Sequence, residues 1–376
     1  MRHLSVPKRD TQTSLEELRD LNWYPEGYRV LRDGENSLIP ISDLAPTDLP
    51  TSYIIVDRYQ DPPAAKSWFS FLPKFLSEDI IEEHLGTWPN SHELYSDLLI
   101  FKIERNIEQY AQQVALAKIH HSDKIRVVML DEGVSGEYRV RNLKPLAARF
   151  GEQIIDEEGL ANLPEETRRT LTSSNVKIRE NGVSLLLNPA IAYYSSRLAR
   201  EREKTVESAI QLKEKLGRPI SVADPYCGVG PAVVQLLAKK GLVGDLLATD
   251  INPEAVEMLK RNLGEIKESW YCKIADALKL NKNQNLLGRF DLLLMNLPHS
   301  TLQHLPQLLP LLKTNAPTLL RGWYVVEEEE IPSAEAEFAK IIRQAQPFNG
   351  NFKLEIRRQF NVSKVLTRFE CRLGGW

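Results

Sequence analysis

Short apolar runs alternate with longer segments of helical periodicity over the second half of the chain. The apolar runs have the composition of buried strands and lie at residues 183–187, 222–224, 246–250, 292–295 and 323–326. The segments with helical spacing lie at residues 195–215, 231–240, 254–263, 302–313 and 333–344. This alternation predicts a doubly wound α/β sheet, and two last runs, 354–360 and 365–373, are expected to close it as an antiparallel edge pair.

The first half of the chain predicts smaller α/β modules joined by a linker rich in proline and aspartate. Its expected strands lie at residues 28–31, 38–41, 53–56, 98–103, 125–130 and 137–141, with a helix over 107–119 and a polar loop with a short helix over 151–174. We divide the chain into a small N-terminal module (1–46), a linker (47–71), a second α/β domain (72–175) and the main domain (176–376).

Composition narrows the class of protein. The 376 residues are 42% hydrophobic and 26% charged, and neither a membrane span nor a signal-peptide core is evident. Three cysteines without metal-ligand spacing favour a reducing, cytoplasmic location and no metal site. The net charge of -3 means that a nucleic-acid partner would need local basic patches. We expect His120, His121 and His299 to be surface or structural residues.

The most informative segment runs from Ser221 to Asn252 and predicts a strand, a glycine turn, a helix and a second strand. Gly228 and Gly230 in DPYCGVGP would let the backbone approach a ligand, and Asp250 follows at the spacing of a ribose-binding carboxylate. A third glycine is missing, and Asp224 opens the turn, so a cationic ligand fits better than a pyrophosphate. S-adenosylmethionine has these properties. The alternative is a purely structural strand-turn-helix.

Polar residues follow the predicted strands where ligands bind in open α/β sheets. Asp224 would face the amino-acid part of the cofactor, Asp250 the ribose, and Asp276 the adenine amino group. Asn296 would lie nearest the transferred group. Tyr226 and Ile251 adjoin these positions and complete the predicted cofactor site, with Gly228, Gly230 and Asn296. For each acidic or amide residue alone, helix capping is an equal alternative.

The NLPHS turn and the next charged segments suggest how an acceptor would be held. Asn296 and Pro298 could hold a planar ring with an amide-like edge, although a helix cap by Ser300 would also explain this turn.

On the helix over 193–208, Glu201 could act as a base while Arg197 and Arg202 grip phosphates; the alternative is a solvated charged face. Arg139 and Arg141 alternate on a strand, so both could face phosphate or guanine.

In this order, the motifs SDLLIFKI, EYRVRN, YYSSRLARER, DPYCGVGP, TDINP and MNLPHS resemble the archaeal and eukaryotic type tRNA (guanine-N1)-methyltransferase family, which modifies position 37. The resemblance covers nearly the whole chain. It implies a Rossmann-like class I methyltransferase domain, smaller N-terminal α/β RNA-binding domains, and tRNA as partner. The sister enzyme of wybutosine synthesis transfers an aminocarboxypropyl group, but GVGP and NLP are typical of the methyltransferase.

The resemblance also implies roles for individual residues. Glu201 matches the general base, Arg141 or Arg139 the arginine at the guanine oxygen, Asn296 and Pro298 the guanine-holding turn, and Asp250 the ribose ligand.

Ser196 and Asn188 replace a proline and an aspartate of the family pattern, and the segment 146–176 is longer than in the family.

The alternatives to methyl transfer are aminocarboxypropyl transfer and the role of a non-catalytic RNA-binding paralogue. We expect a monomer. Tyr193 and Tyr194 could line the approach of the base or pack in the core.

Overall fold

The computed structural model describes residues 1–21, 23–25, 28–42, 44–46, 53–60, 67–135, 140–346, 348, 350–361 and 363–376. The chain divides into two units. One contains Met1–Trp88 and Asn106–Asp123, and the other contains Pro89–Arg105 and Lys124–Trp376. The predicted division of the chain at residues 46, 71 and 175 stays a prediction.

The first unit contains a four-stranded antiparallel sheet in the order β2-β3-β1-β4. Its elements are β1 (Arg2–Pro7), α1 (Thr11–Asp20), β2 (Leu31–Asp33), β3 (Asn36–Pro40), β4 (Ile54–Asp57), α2 (Glu78–Glu83) and α3 (Ala111–His120). Leu4, Leu18 and Ile39 form the buried contact between α1 and the sheet. The linker predicted at 47–71 falls partly on residues 47–52 and 61–66, which lie outside the described residues.

The second unit begins with a five-stranded sheet in the order β5-β6-β7-β8-β9, in which only β6 and β7 are parallel. The elements of this region are β5 (His92–Tyr95), β6 (Leu98–Phe101), β7 (Val127–Ser135), β8 (Val140–Phe150), β9 (Gln153–Asp156), α4 (Glu157–Ala161) and α5 (Glu165–Leu171). The loop predicted over 151–174 was therefore mostly wrong, because its residues form β9, α4 and α5.

A separate hairpin follows. It consists of β10 (Val176–Glu180) and β11 (Val183–Leu187), which form a two-stranded sheet. The prediction that 183–187 belongs to the doubly wound sheet was wrong. Leu185 and Leu187 are buried whereas Ser184 and Leu186 are exposed, so this strand has one solvated face and not two buried ones.

The main sheet has seven strands in the order β14-β13-β12-β15-β16-β18-β17. The elements are α6 (Ala199–Leu216), β12 (Ile220–Asp224), α7 (Pro231–Leu237), β13 (Val243–Asp250), α8 (Pro253–Leu263), β14 (Tyr271–Ile274), β15 (Leu292–Met295), α9 (Thr301–Leu308), β16 (Thr318–Glu327), α10 (Ile331–Ala345), β17 (Glu355–Gln359) and β18 (Lys364–Leu373). The first five strands in this order are parallel. Strand β18 pairs antiparallel with β16 and β17 pairs antiparallel with β18, which confirms the predicted doubly wound sheet and its edge pair.

Both faces of the main sheet are covered by helices. Helices α6, α7 and α8 pack on one face, where Val222 and Leu292 are buried. On the other face, α9 and α10 pack against Ala223 and Leu293, the next residues of the same strands. Strand order reverses between β12 and β15, so the polar residues at the ends of these strands meet at the switch point of the sheet.

Candidate active site

Asp224 and Asn296 lie at the carboxyl ends of the neighbouring parallel strands β12 and β15. Asp224 is 1% exposed, and Nδ2 of Asn296 lies 3.2 Å and 3.3 Å from its two carboxylate oxygens. Burial raises the pKa of Asp224 to about 7, although hydrogen bonds from Tyr226 and Asn296 oppose the shift. The structure thus brings together two of the predicted residues around one buried carboxyl group.

Asp250, the last residue of the neighbouring strand β13, accepts a hydrogen bond from the glycine turn. Its Oδ2 accepts a hydrogen bond from the Gly228 amide at 2.9 Å, and its Oδ1 accepts one from the Asn252 amide at 3.0 Å. Burial raises the pKa of Asp250. No basic residue in the described part of the chain forms an ion pair with Asp224 or Asp250, so no side-chain cation competes with a ligand for these two carboxyl groups.

The surroundings of the two glycines in the turn differ, so different constraints favour glycine at each position. Gly228 has a φ of +53°, and a Cβ there would have no atom within 4 Å, which leaves room for a ligand. Gly230 has a φ of +85°, and a Cβ there would lie 2.4 Å from Cδ1 of Leu259. Close packing of α7 against α8 therefore explains Gly230, whereas the sequence suggested only ligand approach.

Three other predicted cofactor residues surround these strand ends. The hydroxyl of Tyr226 lies 2.7 Å from Nδ1 of His304 on α9, a residue that the sequence analysis missed because no motif includes it. Ile251 is 46% exposed beside Asp250. Asp276 accepts a hydrogen bond from the Leu278 amide at 3.0 Å, so it caps the short helical segment that follows, as the capping alternative predicts.

The turn after β15 is anchored to β16. The carbonyl of Pro298 accepts a hydrogen bond from the Val325 amide at 2.9 Å, and the Thr301 hydroxyl lies 2.8 Å from the carbonyl oxygens of Leu297 and Trp323. Ser300 makes no side-chain capping bond, so a Ser300 cap does not explain this turn. His299 is exposed, with its ring centroid 5.1 Å from that of Phe360.

Glu201 lies in the first turn of α6 and is 6% exposed. It forms ion pairs with Arg357, Arg368 (3.3 Å), Arg321 (3.5 Å) and Lys204 (3.5 Å). Burial alone would raise the pKa of Glu201, but the charges of Arg357, Arg368 and Lys204 outweigh it and hold the pKa below its usual value. Glu201 is therefore an ionised carboxylate at neutral pH.

The three arginines around Glu201 come from β16, β17 and β18. Arg321 is paired in register with Glu370 across β16 and β18, and it also donates to the Thr205 hydroxyl at 2.9 Å. In the parallel pair β15–β16, Arg321 lies opposite Leu294, two residues before Asn296. This register brings the Glu201 cluster to the carboxyl end of β15.

Arg141 lies on β8 and is already paired. Its guanidinium bonds the Glu93 carboxylate, with Nη2 to Oε1 at 3.3 Å, and its Nε lies 3.8 Å from Asp131. Arg139 lies outside the described residues, so its predicted contact with guanine or phosphate stays a prediction.

Arg202 and Arg197 differ in how much they are constrained. Arg202 bonds the buried carboxylate of Glu180 and donates to the Ser195 carbonyl at 2.9 Å. Glu180 also accepts hydrogen bonds from Tyr194 and Gln235. Arg197 is exposed, as is Tyr193, whereas Tyr194 is 4% exposed and packs in the core. A phosphate contact by Arg197 or Arg202 stays a prediction.

Of the two departures from the family pattern, Asn188 has a local explanation. The Asn188 side chain accepts from the Ser174 hydroxyl at 2.8 Å and from the Ala190 amide at 2.9 Å, so it fixes the turn after β11. Ser196 is exposed at the start of the helical segment that leads into α6.

The described residues contain no group of three or more His, Cys, Asp or Glu arranged to hold a metal ion. Over the same residues, no helix has the length and apolar character needed to cross a membrane.

Comparison with known proteins places these observations in context. The TRM5/TYW2 methyltransferase domain matches residues 176–349. The tRNA (guanine(37)-N(1))-methyltransferase Trm5b of Pyrococcus abyssi is 27% identical over 308 residues, which cover 80% of this chain and 78% of the relative.

Two solved structures share the architecture. The crystal structure of Trm5b from Pyrococcus abyssi has a TM-score of 0.61 at 19% identity and covers 99% of both chains. P. horikoshii TYW2 in complex with MeSAdo has a TM-score of 0.56 at 15% identity, covering 82% of this chain and 98% of that one. These similarities confirm the predicted Rossmann-like class I methyltransferase fold.

Proposed function

We propose that this chain, whose residues 176–349 form a TRM5/TYW2 methyltransferase domain, transfers the methyl group of S-adenosylmethionine to N1 of a guanosine in tRNA, at position 37 beside the anticodon. The observation that carries the proposal is the buried Asp224–Asn296 pair beside the Gly228–Asp250 contact. These residues bring two carboxyl groups, an amide and an open glycine turn to the switch point of the sheet.

The residues present fit this cofactor. The sulfonium and amino groups of S-adenosylmethionine are positively charged, and Asp224 has no basic partner among the described residues. Asp250 has lone pairs left for a ribose hydroxyl, because each of its oxygens accepts one hydrogen bond. Asp276, Tyr226 and Ile251 would border the adenosine. The space beside Gly228 allows close approach to the backbone.

The chain's own residues can prepare guanine for reaction. Guanine N1 carries a proton and is a poor nucleophile until that proton leaves. Glu201 is ionised and would accept it, while Arg141 would stabilise the charge that develops on the guanine oxygen. Asn296 and Pro298 would hold the ring. When bound beside Asp224 and Asp250, S-adenosylmethionine would supply an electrophilic methyl group, with its thioether as the leaving group.

The test is incubation of the purified protein with labelled S-adenosylmethionine and unmodified tRNA, followed by mass analysis of the nucleosides. We expect 1-methylguanosine. An aminocarboxypropyl nucleoside would instead support the activity of the sister enzyme. Absence of any modified nucleoside, with cofactor binding intact by calorimetry, would contradict the proposal and favour a non-catalytic RNA-binding protein.

We also propose that the protein acts as a cytoplasmic monomer. Its three cysteines are buried and unpaired, which suits a reducing compartment. Sedimentation analysis at micromolar concentration tests the monomer, and a mass of twice 42.9 kDa would contradict it.

A further inference from the structure

A cleft of about 570 Å³ opens beside the start of α6. Its walls come from three places in the second unit: the turn after β5 with Ser96, strand β10, and the segment from Tyr194 to Ala199. Pockets for small ligands have volumes of about 300–1,000 Å³, so the cleft could accommodate one nucleotide. The motif YYSSRLARER contributes Tyr194, Ser196 and Ala199 to its lining, but the predicted roles do not include Lys177, Arg179 or Ser96.

The cleft has an excess of positive charge. Lys177 and Arg179 are both exposed and lie on either side of the half-buried Ile178 along β10, so their side chains share the outer face of the strand. Neither residue forms an ion pair with any residue that the structure describes. The acidic residue of the lining, Glu180, points to the opposite face of β10, where Arg202 compensates its charge.

The cleft is also close to Glu201. Ala199 lines the cleft and begins α6, two residues before Glu201. At about 1.5 Å of rise per residue, this separation is less than one helical turn. Ala199 and Glu201 lie on opposite sides of the helix, so an RNA backbone in the cleft would lie across the first turn of α6 from Glu201. The hydroxyls of Ser96 and Ser196 add neutral donors to the lining.

We propose that this cleft binds the phosphodiester backbone of the RNA next to the target nucleotide, with Lys177 and Arg179 contacting phosphate. This inference rests on the proposed function and adds two residues to the RNA-binding surface. Phosphate contacts position a nucleic acid without reading its sequence. The two side chains would thus set affinity and register, while the residues around Glu201 carry out the chemistry.

The test compares two double variants of the full chain that lose the same charge. Lys177→Ala/Arg179→Ala removes the cleft cations. Lys239→Ala/Lys240→Ala, the matched control, removes two exposed lysines that follow α7 at the amino end of β13. The affinity for unmodified tRNA is measured at several salt concentrations, together with the affinity for S-adenosylmethionine and the thermal unfolding midpoint.

We expect the cleft variant to bind tRNA at least tenfold more weakly. Its plot of log affinity against log salt should be less steep by about 1 for each lost phosphate contact. The KM for tRNA should rise while kcat at saturating tRNA and the cofactor affinity stay unchanged. The control should behave as the wild type. Lys177→Gln/Arg179→Gln, which keeps most of each side chain, should show the same loss of salt dependence.

Equal salt slopes for the cleft variant and the control would overturn the inference. The inference would also be overturned if the cleft bound inorganic phosphate while the cleft variant bound tRNA as tightly as the wild type, because the ligand of the cleft would then be a free anion. The binding comparison does not depend on methyl transfer. If the wild type binds tRNA but produces no 1-methylguanosine, the proposed function fails and the cleft is still tested. If the wild type binds no tRNA, both fail.

Discussion

At the scale of single residues, Glu201 stands out because four basic side chains surround one nearly buried carboxylate. Such a carboxylate is a weaker base than a solvated one, since every neighbouring cation favours its ionised form. It is nevertheless ionised and held in one place. Catalysis by Glu201 would rely on this fixed position more than on intrinsic basicity.

The substitution Glu201→Gln should lower kcat about 10²–10⁴-fold, the usual contribution of a general base, and leave the affinity for S-adenosylmethionine unchanged. Single-turnover methylation and calorimetry measure the two quantities. Glu355→Gln is the matched control, because Glu355 pairs with the same Arg357 and Arg368 but is half-exposed. A fall in kcat of the same size in both variants would mean that Glu201 only organises the arginines.

Asp224 makes stability depend on pH. Its pKa is about 7 in the folded chain and 3.8 in an ordinary carboxyl group, so the folded state holds the proton more tightly. Its contribution to stability is complete below the unfolded pKa and is lost as pH rises through the folded one. Asp224→Asn should therefore have a higher unfolding midpoint than the wild type at pH 8, with the difference vanishing near pH 4.

Thermal unfolding between pH 4 and pH 8 tests this prediction. A wild type that is as stable as the Asn variant at pH 8 would contradict it. Asp291→Asn is a useful contrast. Burial raises the pKa of Asp291, but Arg218 and Lys313 lower it by more, so the pKa lies below its usual value. That substitution should destabilise the protein most at neutral pH.

Sequence reasoning identified the residues of the strand ends but not the partners of Glu201. Asp224, Asp250 and Asn296 follow apolar runs directly, and parallel strands bring their carboxyl ends to one edge. Arg357 and Arg368 are 156 and 167 positions from Glu201. Only the register of two antiparallel strands brings them there, and nothing in a single sequence specifies that register.

At the scale of elements, the packing of α7 on α8 depends on Gly230. Gly230→Ala should cost about 1–3 kcal/mol of unfolding free energy, because the new Cβ would overlap Leu259 and the left-handed backbone would be strained. Urea unfolding measures the change. Gly228→Ala serves as the control. A Cβ at this position has open space around it, so the substitution should lower stability less than Gly230→Ala does and lower cofactor affinity more. Equal stability losses would contradict the packing argument.

The strands that the sequence revealed are those buried on both faces or bounded by clear turns. The bounds of β11 and β15 agree with the prediction. By contrast, β10 and β14 were missed. Strand β10 alternates charged residues with apolar ones in a half-exposed hairpin, and β14 is a four-residue edge strand. The charged residues of β10 hide its apolar face, and β14 is too short to show a periodic pattern.

At the scale of the whole molecule, the cofactor should stabilise one unit only. All its predicted ligands lie in Lys124–Trp376, so S-adenosylmethionine at 100 times its Kd should stabilise that unit by about 2.7 kcal/mol. Hydrogen exchange should then slow in β12, β13 and β15 but not in β1 to β4. Exchange in a variant with Asp250→Ala should not respond at the same cofactor concentration. Equal protection of both units would contradict this prediction.

The ion pairs of Glu201 have a consequence for synthesis of the chain on the ribosome. The carboxylate and Arg368 are 167 positions apart, a stretch that takes about 8–33 seconds to translate at about 5–20 residues per second. During that interval the α6 carboxylate lacks Arg368, and for most of it Arg321 and Arg357 as well. The ion-pair cluster around Glu201 is therefore complete only after the last strand of the main sheet has been made.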